Sequence, residues 1–213
     1  MKLYGYCRSS AAFRVRIALN LKGLACEHAF VHLRKGEQRA ASFLAINPTG
    51  LVPVLEDEGQ IFIQSLAICE YLDETHPTPP LLPGHPADRA RVRALAQIVA
   101  CDIHPINNLR VLKYLAGPLG QDESAVAAWY NHWILEGFDA FERIVASDGQ
   151  SGRFCHGDEP SLADICLVPQ VFNARRYNLD MAAFPTIRAI FDNCMKLEAF
   201  QKAAPENQPD YEA

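Results

Sequence analysis

The stretch His76–Gly84 constrains the fold more than any other part of the chain. It reads His-Pro-Thr-Pro-Pro-Leu-Leu-Pro-Gly, and its four prolines rule out a helix and leave a stiff, extended connection. A chain of 213 residues broken there divides into two modest domains, each able to bury a core. The expected boundaries are a first domain over 1–77, a linker over 78–86 and a second domain over 87–213.

Before the break the hydrophobic period alternates between two and 3.6. Residues 2–6 form a β-prone run that ends in the polar turn Arg8-Ser9-Ser10. From Ala11 the pattern is helical, with Val15, Ala18 and Leu19 on one face, Arg14 and Lys22 off it, and Gly23 as the stop. A strand is expected near 26–33 and a short helix over 37–45. A hairpin follows, made of Leu51–Leu55, the turn Glu56–Gly59 and Ile61–Ile63, and a helix starts after Gln64-Ser65. The order is β-α-β-α-β-β-α. After Pro86 the pattern is helical apart from loops near 116–122, 148–160 and 178–186, so an α/β domain precedes an all-α one. The run 87–115 is long for one helix, and Pro105 is expected to kink it. Ser161 and Asp164 have the spacing of a capping box. The tail from Ala203, with two prolines and little apolar content, is expected to fray.

Composition excludes several function classes. A net charge of -5 gives no reason to expect nucleic acid as a partner. The N-terminal residues have no apolar core of a signal peptide, and no stretch approaches the roughly 18 apolar residues of a membrane span. The seven cysteines are scattered, with no C-x-x-C pair, which argues against a disulfide framework or a metal site and for reduced thiols in a cytoplasm.

Three features carry chemistry. The turn Arg8-Ser9-Ser10 stands where a strand meets a helix, and free N–H groups with the helix dipole favour negative charge there. A serine in that place either caps the helix or donates a hydrogen bond to a thiolate. Val52-Pro53 lies within an apparent strand, where the proline removes a ladder donor. If the bond is cis, the Val52 backbone faces outward for an added peptide strand; a trans proline at a strand start is the ordinary alternative. Gln64-Ser65 opens the next helix, as a cap or as a second anion site. All three can converge on one sheet edge, giving an extended-peptide slot flanked by two anion sites.

The runs Tyr6-Cys7-Arg8-Ser9-Ser10 through Leu19, Asn47-Pro48 to Pro53, and Gln64-Ser65 to Leu72 resemble the zeta class of the glutathione transferases. So do Asp102-Ile103-His104-Pro105-Ile106-Asn107-Asn108-Leu109-Arg110 and Leu162-Ala163-Asp164 to Gln170. The resemblance spans residues 1–209 and implies a thioredoxin-like N-terminal domain, a helical C-terminal domain, glutathione as cofactor and a homodimer. It implies that Ser9 or Ser10 faces the glutathione sulfur, and that Val52 pairs with the cysteinyl backbone beside a cis Pro53. Gln64 and Ser65 would hold the γ-glutamyl end and Gln38 the glycine carboxylate, and Asp102 would reach the amine of a neighbour's glutathione. Ala11 stands where the family motif often carries cysteine, and Cys7 is not at the position used by disulfide-forming classes.

The implied activity is cis–trans isomerisation of a maleyl dicarboxylate, maleylacetoacetate or maleylpyruvate. Conjugation of glutathione to small electrophiles such as α-halo acids, and a non-catalytic binding protein, are the alternatives. A free thiol of pKa about 8.5 is only about 3% ionised at pH 7, and lowering that pKa by about two units needs roughly 2.7 kcal/mol. A helix N-terminus contributes up to about 2 kcal/mol, and a charge-assisted hydrogen bond from a serine about 1.5–3 kcal/mol; together they suffice. The substrate carboxylates call for arginines, and Arg8, Arg110 and Arg176 are the candidates. Arg175-Arg176 also reads as a solvated face. His104 and Asn108, one helical turn apart, would contact glutathione or substrate, or His104 simply sits beside the Pro105 kink.

Overall fold

A computed structural model describes residues 1–212, and the chain divides into two compact units. One is Met1–Leu81 with the segment from Met195 onward; the other is Leu82–Cys194.

The first unit is built on strand β1 (Lys2–Gly5), helix α1 (Ser10–Leu21), strand β2 (Glu27–Phe30), helix α2 (Ala41–Ile46), strands β3 (Val54–Asp57) and β4 (Gln60–Ile63), and helix α3 (Ser65–Thr75). The expected order is reproduced. The sheet order is β2-β1-β3-β4, with β1 parallel to β2 and antiparallel to β3, and β3 antiparallel to β4. A parallel β1–β2 pair needs a crossover, and α1 is that crossover. The hairpin turns on Glu58 and Gly59, both at positive φ, as a two-residue primed turn requires. The proline falls outside the strand: β3 begins at Val54, and the cis Val52-Pro53 bond lies just ahead of it.

Helix α1 departs from the one-faced pattern. Arg14 and Arg16 are buried along with its apolar residues, and Lys22 is buried just past its end, since the helix is covered on several sides. Arg16 donates to the carbonyls of Ala203, Tyr6 and Cys7, and burial lowers its pKa to about 10. Lys22 Nζ meets Asp73 at 2.6 Å. Helix α1 packs on α3 and on α9 (Glu198–Ala203), which belongs to the C-terminal segment. The fraying expected of the tail is therefore corrected. Phe200, Ala203, Ala204 and Pro205 are buried, and the Asp210 carboxylate accepts from Cys7 N at 2.9 Å. Few apolar residues are enough here because each one lies against α1 or its surroundings; Ala213 lies outside the described residues.

The second unit contains α4 (Pro86–Gln97), α5 (Leu109–Ala116), α6 (Glu123–Ser147), α7 (Leu162–Arg176) and α8 (Pro185–Cys194). Helix α7 is buried on nearly every side and is the centre of this unit, with α4 and α8 packed on it. Its first turn is fixed by Asp164, whose carboxylate accepts from Ser161 N, Ser161 Oγ and Cys155 N, each at 2.8 Å. The expected long helix is not kinked but ended. After α4 comes a π-helical turn over Ile98–Ile103, then non-helical residues, then α5, with Asn108 as its N-cap. Pro105 lacks the N–H that would continue the ladder, so the chain restarts instead of bending. No helix among the described residues is long and apolar enough to cross a membrane.

Candidate active site

The site begins with strand direction. Strands β1 and β4 both run antiparallel to β3, so the ends of β1 and β4 and the start of β3 lie at one end of the sheet. Three chain segments leave from there: the Arg8-Ser9-Ser10 turn, Val52-Pro53 and Gln64-Ser65. Because β3 lies between β1 and β4, Val52 lies between the two helix starts. Two strand spacings span about 10 Å, roughly the length of an extended tripeptide.

At the first helix start, Ser9 is the N-cap and its Oγ accepts from Ala12 N at 3.2 Å. The capping role does not exclude the other. An Oγ that accepts from the backbone still has its own proton to donate. Ser10 is the first helical residue and is buried. Gly5 lets α1 come this close to the sheet, since a Cβ there would meet the Ala12 Cβ at 3.3 Å. Neither α1 nor α3 has an acidic residue in its first turn, so no carboxylate there offsets either positive helix end.

Val52 is 9% exposed, and among the described residues neither its N–H nor its C=O is hydrogen-bonded. Backbone groups left unpaired this close to a sheet suit an added strand. At the third segment, Gln64 adopts φ 70°, ψ 117°, a region that costs a side-chain-bearing residue about 1–3 kcal/mol. The strain turns the chain abruptly from β4 into α3 and leaves the Gln64 side chain exposed while Ser65 is buried. Ser65 Oγ accepts from Arg14 Nη1 at 3.2 Å. Gln38, in a 3-10 turn over Glu37–Arg39, has a buried Oε1 with no partner among the described residues. Unpaired backbone at Val52 and two helix starts without acidic side chains fit a short anionic peptide. The Gln38 oxygen is an acceptor and calls for an N–H, so only the amide nitrogen of that side chain can meet a carboxylate.

Cys7 is buried, and burial together with the Asp210 carboxylate pushes its thiol pKa up. It stays protonated at neutral pH and is no nucleophile. Arg8 is engaged by the C-terminal segment: Nη2 donates to the Glu212 carbonyl, and the guanidinium lies 5.3 Å from the Tyr211 ring centroid. The sequence gives no sign of this partnership, because it joins residues about 200 positions apart.

In the second unit, Asp102 is exposed on the π-helical turn, and His104 follows at its end. The expected shared face of His104 and Asn108 does not exist, since the helix stops between them; the Asn108 side chain caps α5 by accepting from Arg110 N at 3.2 Å. Arg110 is exposed on α5. The Arg175–Arg176 pair separates: Arg175 packs over Phe191 and faces Asp192 at 3.6 Å, the solvated reading. Arg176 lies 5.2 Å from the Tyr177 ring centroid and faces Tyr130. Tyr130 and Tyr177 stack at 3.7 Å, and burial pushes the Tyr130 phenol well up, against the Arg176 charge. These two aromatics and Arg14 were not singled out in the sequence. Arg14 carried a signal in retrospect, as a charge set inside the apolar run Phe13–Leu19.

Two family models match the chain, the glutathione S-transferase N-terminal domain over residues 3–80 and the C-terminal domain over 123–196. A maleylpyruvate isomerase from Ralstonia is 53% identical over 210 residues, covering 99% of each chain. The holo structure of a maleylpyruvate isomerase, a bacterial zeta-class transferase, matches with a TM-score of 0.98 at 52% identity over 100% of both chains. A maleylacetoacetate isomerase from Methylobacterium extorquens AM1, with bound malonate and glutathione, matches with a TM-score of 0.97 at 43% identity, also over 100% of both. With both domain models matched and full-length relatives above half identical, the chain belongs to the glutathione transferase family, in its zeta class.

Proposed function

We propose that this protein is a glutathione-dependent cis–trans isomerase that converts a maleyl dicarboxylate, maleylpyruvate or maleylacetoacetate, to its fumaryl isomer. The observation that carries the reading is the single sheet end that holds a helix-capping Ser9 with its own proton left to donate, an unpaired Val52 backbone and the start of α3. Full-length relatives named for this reaction support it.

Glutathione, when bound, supplies a thiolate that adds reversibly to the conjugated double bond, frees it to rotate and leaves again. The chain's own residues do the rest. Ser9 and Ser10, at the positive end of α1, donate toward the sulfur and hold it ionised. Val52 pairs with the cysteinyl backbone, Gln38 takes the glycine carboxylate, and Gln64 and Ser65 take the γ-glutamyl end. Arg8, Arg110 and Arg176 bind the substrate carboxylates and stabilise the charge that develops between them. Tyr130 and Tyr177 keep Arg176 in place. His104 and Asn108 contact glutathione, and in a homodimer Asp102 reaches the neighbour's glutathione amine. All seven cysteines are free thiols, which suits a reducing cytoplasm.

The test is to follow maleylpyruvate and maleylacetoacetate by ultraviolet absorbance with the purified protein. Turnover that needs glutathione only in catalytic amounts is the expected result. Stoichiometric consumption of glutathione would make the protein a conjugating transferase, and no turnover would make it a binding protein.

A further inference from the structure

Arg8 stands in the turn between β1 and α1, where a long cationic side chain is ordinarily mobile. Here it is met by Gln208–Glu212, a segment anchored on both sides of the contact. Gln208 Nε2 donates to the Lys202 and Ala204 carbonyls at 2.8 and 3.0 Å, and Tyr211 N donates to the Gln208 carbonyl at 3.0 Å. The Asp210 carboxylate accepts from Cys7 N at 2.9 Å, and the Asp210 carbonyl accepts from the Cys7 thiol at 3.3 Å. Beyond it, the Glu212 carboxylate faces His32 Nε2 at 3.5 Å and Lys35 Nζ at 3.8 Å. Tyr211 lies between these anchors, its ring centroid 5.3 Å from the Arg8 guanidinium.

Of the groups that this segment offers, Arg8 takes the neutral ones: the Tyr211 ring face and the Glu212 carbonyl. The Asp210 and Glu212 carboxylates turn to other donors, and Arg8 has no ion pair among the described residues. An arginine–carboxylate pair is the stronger contact, but it would cancel the charge. A ring and a carbonyl restrict the side chain and leave that charge, with the remaining N–H groups of the guanidinium, open to an anion.

We infer that Tyr211 is a positioning residue that holds the Arg8 guanidinium, with its charge uncancelled, ready for a substrate carboxylate. The inference rests on the assignment of Arg8 to the substrate. It adds that a residue of the C-terminal segment, acting through Arg8, sets how tightly the dicarboxylate binds. A side chain already restricted loses less freedom when the ligand arrives, and the gain is read in affinity.

The test places Tyr211→Leu and Tyr211→Phe in the wild-type and Arg8→Ala backgrounds and measures KM and kcat for the maleyl dicarboxylate. Calorimetry of malonate binding, with glutathione saturating, gives the same comparison without turnover. Tyr211→Leu should raise KM and the malonate Kd about fivefold, the effect of losing one cation–π contact. Its kcat, glutathione Kd and unfolding midpoint should stay as in the wild type. Tyr211→Phe should behave as the wild type, because the ring face and not the hydroxyl meets Arg8. In the Arg8→Ala background Tyr211→Leu should change nothing further. Equal losses in both backgrounds would make Tyr211 a brace for the fold, and a lower KM in Tyr211→Leu would make the segment a competitor for Arg8. Either result overturns the inference. If the wild type does not bind malonate, or Arg8→Ala binds it equally well, the assignment of Arg8 fails, and the role of Tyr211 fails with it. Absence of turnover would count against the isomerase alone, and the malonate comparison would still decide the role of Tyr211.

Discussion

Ser9 illustrates how one side chain holds two roles. Its Oγ accepts from Ala12 N and so caps α1, while its proton remains available to a sulfur. Ser9→Ala should therefore do two separable things. Losing the cap should cost about 1 kcal/mol, read by thermal unfolding without ligand. The pKa of the bound glutathione thiol should rise by about one to two units, read by thiolate absorbance. The sign follows for the pH profile. A weaker acid needs a higher pH to ionise, so the acid limb of the rate should move up with the thiol pKa. A variant whose bound thiol titrates as in wild type would pass the role to Ser10. Arg176 has a different signature, since Tyr130 and Tyr177 seat it within the second unit. Arg176→Ala should raise KM for the dicarboxylate by at least about tenfold while the Kd for glutathione barely moves. Equal loss of both would mean that this arginine serves the cofactor.

Among the elements, α7 has its start most firmly fixed. Three N–H and O–H donors at 2.8 Å and the Cys194 thiol at 3.9 Å converge on the buried Asp164 carboxylate, and an alanine there would leave the first three unpaired. Asp164→Ala should cost about 3 kcal/mol in urea unfolding. Burial raises the Asp164 pKa, while the bonds from Cys155 and Ser161 pull it back. A carboxyl with a raised folded-state pKa contributes most below its unfolded value of about 3.9 and loses that contribution as pH rises through the folded value. The wild-type advantage over Asp164→Ala should accordingly be larger at about pH 3.5, below the unfolded value, than at about pH 7. An advantage that grows toward alkaline pH would mean that the three donors outweigh burial. The capping box was legible because it needs only a three-residue spacing. The end of α4 was not, because Pro105 permits either a kink or a stop, and packing decides between them.

At the scale of the whole chain, the C-terminal segment completes the first unit. Phe200 and Ala203 are buried with α1 in that unit, and Arg16 donates to the Ala203 carbonyl. A fragment ending at Leu81 should be less stable than the same unit with its C-terminal segment by at least about 3–5 kcal/mol, the usual cost of losing one buried phenylalanine. Comparison with a version that joins residues 195–213 through a flexible linker would measure this, and equal unfolding midpoints would show that the segment is dispensable. The sequence alone determined what depends on neighbours along the chain. That includes the β-α-β-α-β-β-α order, the two helix starts and the zeta-class motifs. Periodicity, caps and turn residues act within a few positions, so they can be read without a fold. The tertiary structure alone decided what depends on distant pairs: that Arg14, Arg16 and Lys22 are buried, that the tail is ordered against Cys7 and Arg8, and that Tyr130 faces Arg176. A charged side chain reads as solvated until the fold shows which distant segment covers it, and burial is set by the whole chain at once.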